Sequence, residues 1–189
     1  MSLAWPPILL IMAKAHGQRL IILAAVTALL LLPGCASKRG WISDSQLKRA
    51  LNFAEEQASD GGRKVLSTGR EMTLIEQTIV RGSCWDYANE VYNRAGFPNT
   101  RYSRQSVFKG TMKRGPYADV SQIEPGDFLY YINHSYHNIQ HSAIFVTWFN
   151  IDKKQAIMLS YGGEKRKEPG RYLPYDLSHV FRIIRPNSH

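Results

Sequence analysis

The chain has 189 residues, of which 44% are apolar and 21% charged, and this composition is typical of a globular protein rather than of a disordered or multi-pass membrane protein. Two cysteines are too few for a small fold held together by disulfides. A net charge of +9 is compatible with nucleic acid or with anionic surfaces as partners.

The first residues have the features of an export signal. Lys14 and Arg19 precede an apolar run from Leu20 to Leu32, whose 13 residues fit the h-region of a signal peptide and are too few to span a membrane. Translation from Met12 would give this signal an ordinary basic start, so Met12 is the expected first residue. Because the chain is expected to be exported, we expect no nucleic-acid partner.

The apolar run ends in Leu32-Pro33-Gly34-Cys35, which resembles a bacterial lipoprotein signal, where a cysteine is lipidated and becomes the new N-terminus. We therefore expect residues 1–35 to be a lipoprotein signal peptide, Cys35 to carry a membrane anchor and residues 36–42 to be a tether. A plain signal peptide cut nearby, or an uncleaved anchor, is the alternative. Ala36 and Ser37 do not include the Asp that often marks inner-membrane retention, so the periplasmic face of the outer membrane is the expected location.

Removal of the signal leaves one thiol and a basic domain. Without Lys14 and Arg19 the chain keeps 22 basic and 15 acidic residues, a net charge of +7 that suits anionic envelope surfaces. Lipidation of Cys35 would leave Cys84 without a partner for an intramolecular disulfide, although the compartment is oxidising. The presence of Cys84 therefore calls for another explanation.

Capping signals predict helices at the start of a single domain over residues 43–189. Ser43 or Asp44 can cap the first helix, and Gly61-Gly62 is expected to end it. Residues 62–72 are expected to be a polar loop, and Thr73 with Glu76 is expected to open a short second helix that Gly82 stops. The first helix presents apolar residues at three- and four-residue spacing: Leu47, Ala50, Leu51, Ala54 and Ala58.

The third helix is the best defined, and a predicted sheet follows it. The helix is expected to run from Cys84 to Ala95, with Gly96 at its C-terminal end. Aromatic and β-branched residues then predict strands over residues 128–132, 141–149, 155–161 and 180–184. Helices followed by an antiparallel sheet make an α+β domain.

Cys84 is a candidate nucleophile because it begins the third helix. Unpaired backbone amides and the positive end of the helix dipole favour the thiolate there. A buried structural cysteine is the alternative interpretation. A nucleophilic thiolate also needs a general base, normally a histidine that a third polar group orients.

His141 is the expected base. It opens a predicted strand that can hold its ring at the edge of the sheet, whereas His134 and His137 fall in the preceding loop. A zinc site formed by these three histidines and Cys84 is disfavoured. Spacings of three and four residues would need a helix, and this segment is predicted to be loop and strand.

Four segments occur in an informative order: Cys84-Trp85-Asp86-Tyr87-Ala88 with Gly96 twelve residues after the cysteine, Ile123-Glu124-Pro125-Gly126-Asp127, His141-Ser142-Ala143-Ile144 and Phe181-Arg182-Ile183-Ile184. In this order they resemble the nucleophile helix, the entry to the first core strand, the histidine strand and the closing strand of the NlpC-type cell-wall cysteine peptidases. The resemblance covers about residues 43–186. It implies a papain-like α+β fold and hydrolysis of amide bonds in peptidoglycan stem peptides or cross-links.

The resemblance also implies the site. Cys84 would be the nucleophile and His141 the base, and the Cys84 amide would help to bind the oxyanion. No metal and no organic cofactor is implied. The implied partners are peptidoglycan and, through the lipid on Cys35, a membrane.

The third catalytic position departs from the pattern of this family. The strand after His141 offers Ser160 where the family usually has His, Asn, Asp, Gln or Glu, and a hydroxyl orients an imidazolium less strongly than a carboxylate does. Ser160 is nevertheless the expected third residue. Trp85, Tyr87 and Tyr161 are the expected substrate-binding residues.

Two other functions fit the same residues. A non-catalytic lipoprotein could keep the groove of the fold to bind peptidoglycan or a partner protein, and Ser160 favours that alternative. A transglutaminase-like acyltransferase would also place cysteine in a Gly-x-Cys-Trp-x-Tyr-Ala setting, as in residues 82–88. It is the less favoured alternative, because the strand that starts at His141 lacks the nearby Trp and acid that such enzymes carry.

Overall fold

The computed structural model describes residues 42–187. The predicted signal peptide, the start at Met12, the lipidation site Cys35 and the predicted tether up to residue 41 lie outside the described residues. Ile42, the last residue of the predicted tether, packs against the hydrophobic core. No helix within residues 42–187 is long and apolar enough to cross a membrane.

The first helix, α1, spans Asp44–Gln57 and confirms the predicted start. Ser43 is the N-cap: its hydroxyl accepts the Gln46 amide at 3.3 Å, and the Ser43 amide donates to the Gln46 side chain at 3.0 Å. Leu51 and Ala54, both on the predicted apolar stripe, are buried against the core.

The predicted polar loop over residues 62–72 is wrong, because a second helix, α2, spans Asp60–Arg70. A single π-helical turn, Glu71–Ile75, extends it, so the predicted short helix opening at Thr73 is wrong as well. The misleading signal is Gly61-Gly62. A Cβ atom on Gly61 would press on the Pro186 ring, and one on Gly62 would collide with the Pro125 carbonyl oxygen. Glycine therefore allows close packing here and does not end a helix.

The third helix, α3, spans Cys84–Arg94 and confirms the prediction to within one residue. Its buried face packs against the helices and the sheet, mainly through Tyr87, Ala88, Val91 and Tyr92. The Tyr92 hydroxyl donates to the Gly126 carbonyl at 2.7 Å and so ties the helix to the turn before the first central strand.

Six antiparallel strands follow, in the sheet order β1-β6-β2-β3-β4-β5. Four correspond to the predicted strands, whereas the edge strands β1 and β5 escape the sequence prediction. Both lack a continuous apolar run, and β5 contains Pro174, a residue that sheets accept at an edge. The strands span Arg104–Lys109 (β1), Phe128–Asn133 (β2), Ile139–Asn150 (β3), Gln155–Ser160 (β4), Arg171–Asp176 (β5) and Val180–Pro186 (β6).

The described domain is α+β, as the order of the predicted elements indicates. The helices share one hydrophobic cluster with Phe128, Ile144 and Leu159 of the sheet, while alternate strand residues such as Leu129 and Phe145 form a second cluster. Buried Asp127 fixes the turn before β2 to β6, since its carboxylate accepts two hydrogen bonds of 2.8 Å from Arg185.

Candidate active site

Cys84 is the first residue of α3. The amide and the hydroxyl of Ser83, the N-cap, both donate to the Asp86 carboxylate, at 2.7 and 2.8 Å. Within residues 42–187 the amides of Cys84 and Trp85 have no hydrogen-bond acceptor. Free amides beside the thiol are suited to bind an oxygen on which negative charge develops.

Strand β3 brings two side chains to this thiol. The pairing of β3 with β4 begins at Ile144 opposite Leu159, so His141 and Ser142 lie beyond the residue pairs that β4 makes. Neighbouring strand residues point to opposite faces, yet both of these residues interact with Cys84 from this end of the sheet. The Ser142 hydroxyl donates to the thiol sulfur at 3.4 Å, and the His141 imidazole is near enough to lower the pKa of the thiol.

The surroundings of Cys84 favour its thiolate. Burial of the thiol raises its pKa, but the hydrogen bond and the charge of His141, together with hydrogen bonds from the Ser142 hydroxyl and amide, outweigh this effect. They lower the pKa of Cys84 to about 7. A cysteine with such a pKa in a partly exposed position has the properties of a nucleophile.

Ser160 lies next to His141, as the sequence predicts for a third residue. The Ser160 oxygen is 2.9 Å from His141 Nε2, which leaves Nδ1 as the ring nitrogen available to a second partner. Ser160 is buried at the end of β4, and its oxygen is also 2.8 Å from the hydroxyl of Tyr175 on β5. Cys84, His141 and Ser160 thus come together from three separate elements.

These groups open into a groove with a volume of about 890 Å³, which is within the range of ligand-binding pockets. Its acidic residues, Asp86 and Glu164, both accept hydrogen bonds from backbone amides. Three basic residues, Lys165, Arg166 and Arg171, also line the groove, and of these only Arg171 has a carboxylate partner among the described residues, Glu168 at 3.3 Å. The loop before β3 completes the wall with Asn133, Ser135, Tyr136, Ile139 and Gln140.

Two hydrogen bonds join the segment before Cys84 to the loop after β4. The Gly82 amide donates to the Glu164 carboxylate at 2.9 Å, and the Glu164 amide donates to the Gly82 carbonyl at 3.0 Å. Gly82 has a φ of +112°, which disfavours other residues at this position. The contact holds the segment before Cys84 in place.

The three predicted substrate-binding residues occupy different positions. Tyr161 lines the groove, and its hydroxyl donates to the Val80 carbonyl at 2.7 Å. Tyr87 is only 1% exposed and stacks on Tyr161, so it does not line the groove. Trp85 also lies outside the lining, where its indole donates to the Tyr130 hydroxyl at 2.6 Å. The positions of Tyr87 and Trp85 serve to hold α3 against its neighbours.

The other histidines are separate from the thiol. His134 pairs with His179, with 2.9 Å between His134 Nε2 and His179 Nδ1, and the rings of His137 and Tyr136 meet edge-on in the loop before β3. Within residues 42–187 no group of three or more His, Cys, Asp or Glu side chains is arranged to bind a metal ion.

Sequence reasoning missed three residues around the site. Ser142 follows His141 directly, and the alternation of a strand placed it on the opposite face, away from the expected base. Tyr175 belongs to an edge strand that the sequence did not reveal. Glu164 comes from the Gly-rich loop after β4, where its carboxylate is one among several charges and nothing local distinguishes it.

A scan against protein-family models found no match, and a search of curated proteins found no related sequence. The interpretation of the site therefore rests on the residues themselves and on their geometry.

Proposed function

We propose that this protein is a cysteine hydrolase with a papain-like arrangement, which cleaves amide bonds in peptidoglycan stem peptides or cross-links. The observation that carries the proposal is the meeting of Cys84, at a helix start, with His141, 57 positions later, in an open groove where the thiol pKa is about 7. The resemblance to NlpC-type peptidases supplies the substrate class.

The proposed reaction uses groups already in place. The Cys84 thiolate attacks the carbonyl carbon of the amide, and the free Cys84 amide stabilises the oxyanion. The His141 imidazolium then donates its proton to the leaving amine as the C–N bond breaks, which leaves a thioester. In the second half, His141 takes a proton from water, and the resulting hydroxide displaces the sulfur and releases the acid.

The proposal also includes the location. Lipidation of Cys35 would hold the domain at a membrane, with the periplasmic face of the outer membrane favoured over the inner membrane. A net charge of +7 for the part after the signal suits the anionic surfaces of the envelope.

A second candidate is a non-catalytic lipoprotein that binds peptidoglycan or a partner protein in the same groove. The hydroxyl of Ser160, in place of a carboxylate or amide, favours this candidate, because it gives a weaker acceptor for an imidazolium. Retention of a low-pKa thiol beside His141 argues against it, since a binding groove needs no nucleophile.

One experiment separates the two candidates. Purified sacculi are incubated with the full chain and with its Cys84→Ala and His141→Ala variants, and the released muropeptides are analysed by mass spectrometry. New fragments that appear with the wild type and disappear with both variants would support the hydrolase and identify the bond. An unchanged muropeptide profile, with all three proteins co-sedimenting with sacculi, would refute hydrolysis and favour the binding function.

A further inference from the structure

The part of the groove wall that follows β4 carries two positive charges without a partner. Lys165 and Arg166 are adjacent, exposed and part of the lining, and neither forms an ion pair with a carboxylate within residues 42–187. Glu164 belongs to the same 3₁₀ turn, but its carboxylate accepts a hydrogen bond from the Gly82 amide at 2.9 Å. The steps proposed for hydrolysis use neither of these positive charges.

Local structure holds this basic turn beside the nucleophile. Within the turn, the Arg166 amide donates to the Gly163 carbonyl at 3.1 Å. Two hydrogen bonds join Glu164 to Gly82, which is two residues before Cys84. A ligand bound by this turn therefore lies in the part of the groove that contains the thiol.

The Arg166 side chain lies against Gly162. A Cβ atom on Gly162 would collide with Cδ of Arg166 and come within 2.8 Å of its Nε. Gly162 is not among the glycines with a positive φ, so the backbone does not require glycine here. The missing side chain at position 162 instead gives Arg166 the room to lie across the chain where it leaves β4.

Two guanidinium groups act on the residues around the imidazole. Burial raises the pKa of the Tyr175 phenol, while its hydrogen bond with Ser160 and the charges of Arg171 and Arg166 oppose this effect. Arg171 lies opposite Ser160 in the β4–β5 register and is already paired with Glu168. The guanidinium that remains available to a ligand is that of Arg166.

We propose that Arg166, together with Lys165, forms a subsite for a carboxylate of the substrate, so that the groove prefers acidic peptides to the same peptides with amidated carboxylates. A guanidinium can bind a carboxylate through two parallel hydrogen bonds and opposite charge, whereas a carboxamide offers one acceptor and no charge. The subsite rests on the proposed function for the peptide nature of its ligand, and it adds the free carboxylate to the description of the substrate.

The test compares two peptides that differ only in these groups. The probes are the acetylated stem tripeptide alanyl-γ-glutamyl-lysine, with two free carboxylates, and the same peptide with both carboxylates amidated. Calorimetry at low salt gives their dissociation constants for the full chain with Cys84→Ala, which has no nucleophile to cleave them. The acidic peptide should bind about tenfold more tightly, because hydrogen bonds between charged groups are stronger than neutral ones. Equal affinities, or no binding of either peptide at millimolar concentration, would overturn the proposal.

A double variant and its matched control locate the effect. In the same background, Lys165→Gln with Arg166→Gln should reduce the preference to about twofold or less, since only screened, more distant charges remain. Lys48→Gln with Arg49→Gln removes an equally exposed Lys-Arg pair that does not line the groove, and it should retain the tenfold preference. Equal losses in the two double variants would overturn a local subsite.

Gly162→Ala tests the position of the guanidinium while every charge is kept. The new Cβ atom takes the place of the Arg166 stem, so the preference should fall about threefold, as in Arg166→Gln alone. An unchanged preference would overturn the assignment of Arg166 as the carboxylate anchor.

The subsite and the hydrolase fail separately. A tenfold preference for the acidic peptide, with no muropeptide released from sacculi, would support the subsite and refute hydrolysis. Release of muropeptides with equal affinity for the two peptides would support the hydrolase and overturn the subsite.

Discussion

The low pKa of Cys84 depends on His141, and replacing His141 with Gln should remove most of the effect. The variant keeps the burial that raises the pKa of the thiol and loses the largest lowering cause, so its pKa should return from about 7 towards 9.0 or above. At pH 7 the fraction of thiolate would then fall from about one half to about 1%, roughly 50-fold.

The alkylation rate should change by less than the thiolate fraction does. A thiolate with a lower pKa is a weaker nucleophile, and with a Brønsted coefficient of about 0.4–0.5 a difference of two pKa units costs about tenfold in intrinsic reactivity. The wild type should therefore react with iodoacetamide about fivefold faster than His141→Gln at pH 7, and about tenfold slower near pH 10, where both thiols are ionised. This reversal is a sharper test than either rate alone.

The assay follows alkylation of the full chain from pH 5 to 10. Cys84 is quantified by mass spectrometry in the tryptic peptide of residues 82–94, which separates it from Cys35. His134→Gln is the control, because it removes an exposed histidine that does not line the groove. Equal midpoints for the wild type and His141→Gln, or a wild-type thiol that stays silent below pH 8, would refute the thiolate–imidazole interaction.

Two further predictions concern the charge of the groove and the stability of the fold. Arg166→Gln should slow alkylation of Cys84 by iodoacetate about threefold relative to neutral iodoacetamide at low salt, because one nearby surface charge is worth roughly 0.5–1 kcal/mol; Lys48→Gln, outside the groove, should leave the ratio unchanged, and an unchanged ratio in Arg166→Gln would contradict the role of this charge. Asp127→Asn should lower the free energy of unfolding by about 3 kcal/mol in urea titrations, since it removes the buried carboxylate of Arg185 and leaves this side chain with the exposed carboxylate of Glu124. A loss below about 1 kcal/mol would show that this pair contributes little.

The sequence predicted those helices and strands whose capping residues and apolar patterns agree with the way they pack in the structure. Ser43 and Ser83 precede helices and cap them in the structure, and the central strands combine β-branched residues with burial on both faces. The prediction from sequence failed where a residue type that usually marks the end of a helix is present for another reason, its tertiary packing. Gly61-Gly62 reads as a helix end, but these residues are glycine because α2 packs against the Pro125 turn and Pro186.

The candidate site shows the same division. Cys84 could be found from its place at a helix start, and His141 from its place at a strand start. In both cases the neighbouring residues in the sequence are enough to suggest the chemical role. That the two meet is an expectation from the resemblance, since nothing in the 56 intervening residues fixes a distance between them. Ser142 escaped because strand alternation places it on the face opposite His141. That face is the helix side of the sheet, which Ser142 shares with Ile144 and Val146, and the Cys84 thiol lies there.

The end of β4 explains why the groove forms where it does. Ser160 is the last residue of β4, and the chain then leaves the sheet through Gly162 and Gly163 towards the contact between Glu164 and Gly82. Because β4 no longer covers β3 at this level, the ring of His141 can meet a thiol from the helix side while its Nε2 stays on the side of Ser160. A site built in this way requires its orienting residue at the terminus of β4, and a short hydroxyl there needs support from the next strand. The hydroxyl of Tyr175 on β5 lies 2.8 Å from the Ser160 oxygen and gives this support. Ser160 and the edge strand β5, which the sequence did not predict, therefore belong to one arrangement around His141.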